Sequence, residues 1–185
     1  MKGFFASVWE ISKTILICLA IIIPVRYLVI QPFYVRGASM EPNFHEKDYL
    51  LVDEISYRLR EPNRGEVIVF RYPDDPQEYF IKRVIGLPGE TITFKNGGVY
   101  VSKDDSDMME LDESYLAPHT DTIAQFNDTV ILTDNEYFVL GDNRNGSKDS
   151  RSFGAVNKNF VIGRVFFRGL PLKRFGSITT PVYKK

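Results

Sequence analysis

Apolar and polar positions divide the chain at about residue 35. Residues 14–25 read TILICLAIIIPV without a charge, and extension to Ile30 adds only Arg26. As a helix those 17 residues rise about 26 Å, slightly short of a hydrocarbon core of about 30 Å. Residues 11–30 fit better, with Lys13 and Arg26 near the ends, where long cationic stems reach the headgroups. Trp9, Tyr27, Phe33 and Tyr34 are candidate interfacial aromatics, and Pro24 lies close enough to the end to be tolerated. A buried core helix and a cleavable signal peptide each fit part of this run. No A-x-A site follows at a suitable distance, so the expectation is an uncleaved anchor with a single membrane helix over residues 1–35. Lys2 and Lys13 balance Arg26 and Arg36, which leaves the orientation open.

From Tyr49 onward the pattern changes to short runs rich in Val, Ile, Phe and Tyr. The candidate strands are YLLVD (49–53), EVIVFRY (66–72), EYFIKRVIG (78–86), TITF (91–94), GVYVS (98–102), TVILT (129–133), EYFVL (136–140) and VIGRVFF (161–167). Gly, Pro and Asn clusters separate them, and KNGG at 95–98 is a hairpin signal. This predicts a mainly β protein, an antiparallel sandwich or barrel-like domain over residues 36–185. Residues 103–128 break the rhythm. Six carboxylates between Asp104 and Glu113 lack the central glycine of a calcium loop, so the stretch reads as a solvated surface insertion.

Composition narrows the chemistry. Lys plus Arg number 23 against 24 Asp plus Glu, a formal net charge of −1, which disfavours a basic nucleic-acid face. Cys18 is the single cysteine, so there is no internal disulfide framework and no CxxC zinc site. With two histidines, His45 and His119, a metal centre would lean on carboxylates. The expectation is a protein without metal or cofactor.

Lys82 is the most informative residue. In EYFIKRVIG, strand alternation puts Phe80, Lys82 and Val84 on one face and Tyr79, Ile81, Arg83 and Ile85 on the other. If the first face packs inward, desolvation lowers the Lys82 pKa and makes the amine a general base near neutral pH. If the second packs inward, Lys82 is merely solvated. Ser39, between Gly37 and Pro42 in a loop, is a candidate nucleophile for such a base, and a Ser–Lys dyad needs neither metal nor histidine. The third cluster, GDNRNGSKDSRSFG at 141–154, reads on composition as a long polar turn. Ion pairs among Asp142, Asp149, Arg144 and Arg151 would make it rigid, and Ser147 could orient an amine.

In this order the segments resemble the bacterial type I signal peptidase (leader peptidase) family. GASMEPNF (37–44) is similar to the nucleophile box S-M-x-P-T, and YFIKRVIGLPGE (79–90) to the lysine box. RGEVIVF within 48–73 resembles the strand region, and GDNRNGSKDSRSFGAV (141–156) resembles GDNRxxSxDSRxxG. The resemblance implies Ser39 as nucleophile, Lys82 as general base and Ser147 as a hydrogen-bonding partner of the lysine. It implies Asp149 and Arg151 as structural supports, Asp142 paired with Arg83, and Met40 and Ile81 in the substrate groove. The oxyanion hole would use the Ser39 N–H and the region of Gly37, where some members carry serine. The implied substrate is an exported preprotein, cut after a small-x-small motif such as A-x-A. The implied setting is the cytoplasmic membrane, single-pass, with the N-terminus cytoplasmic and the catalytic domain outside. This chain departs from the pattern at Asn43, where the box continues with threonine, and at Lys47–Asp48, where G-D is usual. Rival expectations are a catalytically silent relative acting in membrane or pilus assembly and a peptidase of narrow specificity. A self-cleaving Ser–Lys repressor would need a DNA-binding module that the first 35 residues cannot supply.

Overall fold

The computed structural model describes residues 2–28, 30–103 and 108–183 of the chain. Helix α1 (Lys2–Leu28) comes first. The strands are β1 (Ile30–Tyr34), β2 (Tyr49–Asp53), β3 (Val67–Tyr72), β4 (Asp75–Gly86), β5 (Thr91–Lys95), β6 (Gly98–Ser102), β7 (Met109–Glu110), β8 (Thr129–Ile131), β9 (Glu136–Leu140), β10 (Val156–Asn157), β11 (Val161–Leu170) and β12 (Gly176–Ser177). Two one-turn helices, α2 (Ser56–Leu59) and α3 (Ser150–Phe153), sit in the connections. The larger sheet runs β1-β2-β11-β3-β4-β9-β10 with β12 beside β11, and the smaller runs β7-β6-β5-β8. The pairings among the described residues are antiparallel. All eight strand segments expected from the alternation are present. KNGG closes the β5–β6 hairpin with Asn96 and Gly97 both at positive φ, the geometry a two-residue turn of this kind requires.

Alternation along β3 sorts two cores. Val67 and Val69 join Val35, Met40, Phe44, Leu50, Val52 and Val165 on one face of the sheet. Ile68 and Phe70 join Val84, Tyr137, Val139 and Val156 on the other. A third core lies between the sheets, where Ile85, Phe138 and Leu140 meet Ile92, Phe94, Val99 and Leu132. Because β3 is covered on both faces, four consecutive apolar residues, Val67 to Phe70, are all buried.

The N-terminal expectations fall partly outside the described residues. Among the described residues no helix is long and apolar enough to cross a membrane, and the second half of the span drawn over 11–30 falls outside the residues whose side chains are described. Ile30, the last residue of that span, belongs to β1. The side chains of residues 21–30 lie outside the described residues. Phe33 and Tyr34, expected at a membrane interface, sit in β1, paired in register with Leu50 and Tyr49 of β2. That pairing spans a connection of more than a dozen residues, so no local pattern announces it.

The expected insertion is mostly exposed, and Asp104, Asp105 and Asp107 lie outside the described residues. It is not wholly solvated. Leu111 enters the core between the sheets, and Thr122 is buried.

Candidate active site

The loop that carries Ser39 joins β1 to β2 and is pinned by its own apolar residues, with Met40 and Phe44 buried to 1% exposure. Between them and β1 the chain turns at Gly37, whose φ of +81° is a left-handed conformation. A Cβ at Gly37 would meet nothing within 4 Å, so conformation rather than room favours glycine there. The turn leaves Ser39 facing β4.

On β4, Lys82 lies opposite Ile68 of β3 and is 3% exposed. Phe80, Lys82 and Val84 do share a face, but the opposite face is covered too, by Ile85 in the core between the sheets. Lys82 is thus buried as in the first of the two expectations, with the other face of the strand covered there as well. The Lys82 Nζ lies 2.8 Å from the Ser39 Oγ, donates to the Ile81 carbonyl at 2.9 Å, and sits 5.3 Å from the Phe80 ring centroid. Burial pushes its pKa down to about 8, against the opposing pull of Asp149 and Asp142. A hydrogen bond of this length serves in either direction, so the neutral amine can take the hydroxyl proton.

Ser39 and Lys82 line a cleft of about 780 Å³ between β1 with residues 35–38 and the first half of β4. Ile81 lines it. Met40 does not, because its side chain points into the core. Among the described residues β1 pairs only with β2, and β9 pairs with β4 only from Arg83 to Gly86. Two unpaired strand edges therefore border the cleft, close enough for the Phe33 and Tyr79 rings to meet edge-on at 5.6 Å. Among the described residues the Ser39 N–H has no acceptor.

The 141–154 loop backs this pair. The Asn143 N–H donates to the Ser39 carbonyl and its Nδ2 to the Ala38 carbonyl, both at 3.1 Å. A side chain at Gly141 would collide with the Ser39 carbonyl and the Ser147 Oγ, so the close approach demands glycine. The Ser147 Oγ is buried and makes no hydrogen bond among the described residues, so the expected bond to Lys82 is not formed. Asp149 caps α3 through the Arg151 N–H, accepts from the Gly141 N–H, and pairs with the Arg151 side chain at 2.8 Å. Asp142 holds Arg83 through two bonds of 2.8 and 2.6 Å, and the Arg83 pKa is raised because this pairing outweighs burial.

Arg144 is a surprise. It pairs outside its own loop, with Glu113 of the acidic stretch, while its Nε donates to the Gly141 carbonyl. Glu113, Tyr115 and Thr122 thus support the loop from a segment that looked peripheral. Asn143 and Asn43 were also missed as contacts, since each acts through a partner about a hundred residues away. Among the described residues no group of acidic, histidine or cysteine side chains is placed to hold a metal ion.

A model of the family described as signal peptidase, peptidase S26, matches residues 8–170. A probable signal peptidase I-2 of Synechocystis sp. is 39% identical over 175 residues, covering 92% of this chain and 77% of its own length. A signal peptidase I of Bacillus caldolyticus is 35% identical over 170 residues, covering 86% of this chain and 90% of its own. A crystal structure of a signal peptidase I from Enterococcus faecalis V583 aligns over 57% of this chain and 97% of its own, at 31% identity and a TM-score of 0.46. Family membership rests on the family match and the two sequence relatives. By both, the chain belongs to the signal peptidase family, peptidase S26, and is a serine peptidase.

Proposed function

We propose that this protein is a membrane-bound endopeptidase that removes N-terminal signal peptides from exported preproteins by a Ser–Lys dyad. The observation that carries the reading is the 2.8 Å contact of the Ser39 hydroxyl with a buried amine, within a cleft between two free strand edges. The substrate adds as an extended strand, because main-chain pairing to β1 and β4 positions the scissile bond without reading much sequence. Apolar side chains such as Phe33, Phe80 and Ile81 narrow the cleft and favour small residues at the cut, as in A-x-A.

Neutral Lys82 accepts the Ser39 proton as the Ser39 oxygen bonds to the scissile carbonyl carbon. The oxyanion gathers charge beside the free Ser39 N–H and Gly37. Lys82 then returns the proton to the leaving amine as the C–N bond breaks, leaving an acyl-enzyme. Water, deprotonated by Lys82, attacks the acyl carbon; the bond to the Ser39 oxygen then breaks, Lys82 returns the proton to that oxygen, and the signal peptide leaves with a free carboxylate. Asp142, Arg83, Asp149 and Arg151 keep the two loops in register.

Attachment to the bilayer is supported by residues 7–20 of α1, whose apolar side chains Trp9, Ile11, Ile15 and Leu16 are all exposed. The TILICLAIIIPV run extends this apolar character. The orientation follows the family, with the N-terminus cytoplasmic and residues 36–185 outside.

The test is cleavage of an A-x-A preprotein by detergent-solubilised protein, wild type beside Ser39→Ala and Lys82→Ala. Loss of cleavage in both variants with unchanged melting is expected. Turnover by a well-folded Lys82→Ala protein would overturn the dyad.

A further inference from the structure

Asn43 lies four residues after Ser39 and faces away from the cleft. Its Nδ2 amide donates twice, to the Asp142 Oδ2 at 2.9 Å and to the Tyr115 carbonyl at 2.9 Å. Its own carbonyl accepts from the Arg168 guanidinium at 2.6 Å. Both Nδ2 partners are pure acceptors, so the amide orientation is unambiguous and both of its hydrogens are used. A hydroxyl at this position has one hydrogen and can serve one of the two.

The partners matter for what they hold. Asp142 clamps Arg83, the residue after Lys82, and also acts on the Lys82 charge. Tyr115 lays its ring against the Arg83 guanidinium, 4.1 Å from ring centroid to Cζ. Asn43 therefore ties three segments to one another: the loop that carries Ser39, the stretch at 113–115, and the loop at 141–144. Its side chain touches neither Ser39 nor Lys82.

We propose that Asn43 is a positioning residue that sets the Ser39 loop against β4, and that its two-donor amide makes residues 113–115 part of the active-site support. The proposal rests on the Ser39–Lys82 reading. Without the amide the Ser39 loop loses its only side-chain tie, among the described residues, to the Arg83–Asp142 pair. Small displacements between reacting groups cost rate far more than binding. A looser loop also admits water to Lys82 and relieves the desolvation that holds its pKa low.

The experiment measures kcat, KM and pH profiles on a preprotein substrate for Asn43→Ala and Asn43→Thr. Val101→Ala, a core truncation in the smaller sheet, serves as the control for destabilisation alone. For Asn43→Ala, kcat falls about tenfold or more with KM within about twofold. Its acid limb moves to higher pH, and Asn43→Thr, which keeps one donor, falls between Ala and wild type. The proposal is overturned if Asn43→Ala behaves like Val101→Ala, melting lower but keeping wild-type kcat and acid limb in the folded protein. It is equally overturned if Asn43→Thr recovers nothing relative to Ala. Should Asn43→Ala not fold, Asn43→Thr carries the test through the same measurements. Ser39→Ala and Lys82→Ala in the same series separate the two ideas. Cleavage retained there defeats the Ser–Lys reading and this proposal with it, whereas both inactive beside wild-type-like Asn43 variants defeats this proposal alone.

Discussion

The two faces of β4 carry one cation each, on adjacent residues and at the same 3% exposure, yet the protein treats them oppositely. Arg83 is met by a carboxylate fork from Asp142 and an aromatic face from Tyr115, so its charge survives burial. Lys82 is met by a hydroxyl, a carbonyl and the Phe80 ring, and its nearest carboxylates act only at a distance. Burial alone does not make a base. What separates a structural cation from a titratable one here is whether a carboxylate touches it.

Removing the partner should hurt most on the Arg83 side. Asp142→Ala leaves a buried guanidinium without its carboxylate, which costs about 3–5 kcal/mol. Urea unfolding at neutral pH reads that loss. A change below about 1 kcal/mol would mean that Arg83 is not desolvated as drawn and would collapse the contrast.

On the Lys82 side the sign reverses. A folded pKa near 8 against an ordinary 10.5 is a stability penalty, full below pH 8 and fading as the pH rises towards 10.5, because the unfolded chain binds the extra proton there. Lys82→Met keeps the length and removes the charge. It should stabilise the fold by on the order of 3 kcal/mol at pH 7 and by little above pH 10.5, while abolishing cleavage. Melting temperatures at the two pH values measure this, and an equal gain at both would point to packing rather than charge.

The same pKa predicts activity that rises with pH. On the proposed mechanism kcat/KM falls about tenfold per pH unit below about 8 and levels off above it. Asp142 and Asp149 both pull the Lys82 pKa up, so neutralising Asp149 should move that limb to lower pH in protein that still folds. A limb that ignores Asp149 would show its charge to be screened from the amine.

The smallest effect is expected at Gly37. Alanine there meets no atoms but must adopt a left-handed φ, at a cost of about 1–2 kcal/mol. If the turn relaxes instead, melting is preserved and kcat falls, since the Ser39 N–H then turns from the cleft.

Much of the fold was legible because alternation is a local property. Eight strands and the KNGG hairpin follow from the spacing of Val, Ile, Phe and Tyr alone. The strands that escaped notice were those defined by their partners. β1 lies in the apolar stretch that precedes the loop, and β7, β10 and β12 are two residues each, too short to show a period. Ser39 and Lys82 stood out as a chemically sensible pair, and the order of the segments marked the family.

Composition and spacing thus determined the residue types available for catalysis, the β character and the absence of a disulfide framework. Tertiary structure alone decided that Lys82 is buried with no carboxylate in contact, and that Met40 faces the core rather than the cleft. It also decided that Glu113 and Tyr115 belong to the support of the site. The physical reason is one of range. Backbone periodicity is set by neighbours in the chain, whereas desolvation and ion pairing depend on what covers a group, and here the covering loops come from 40 to 100 residues away.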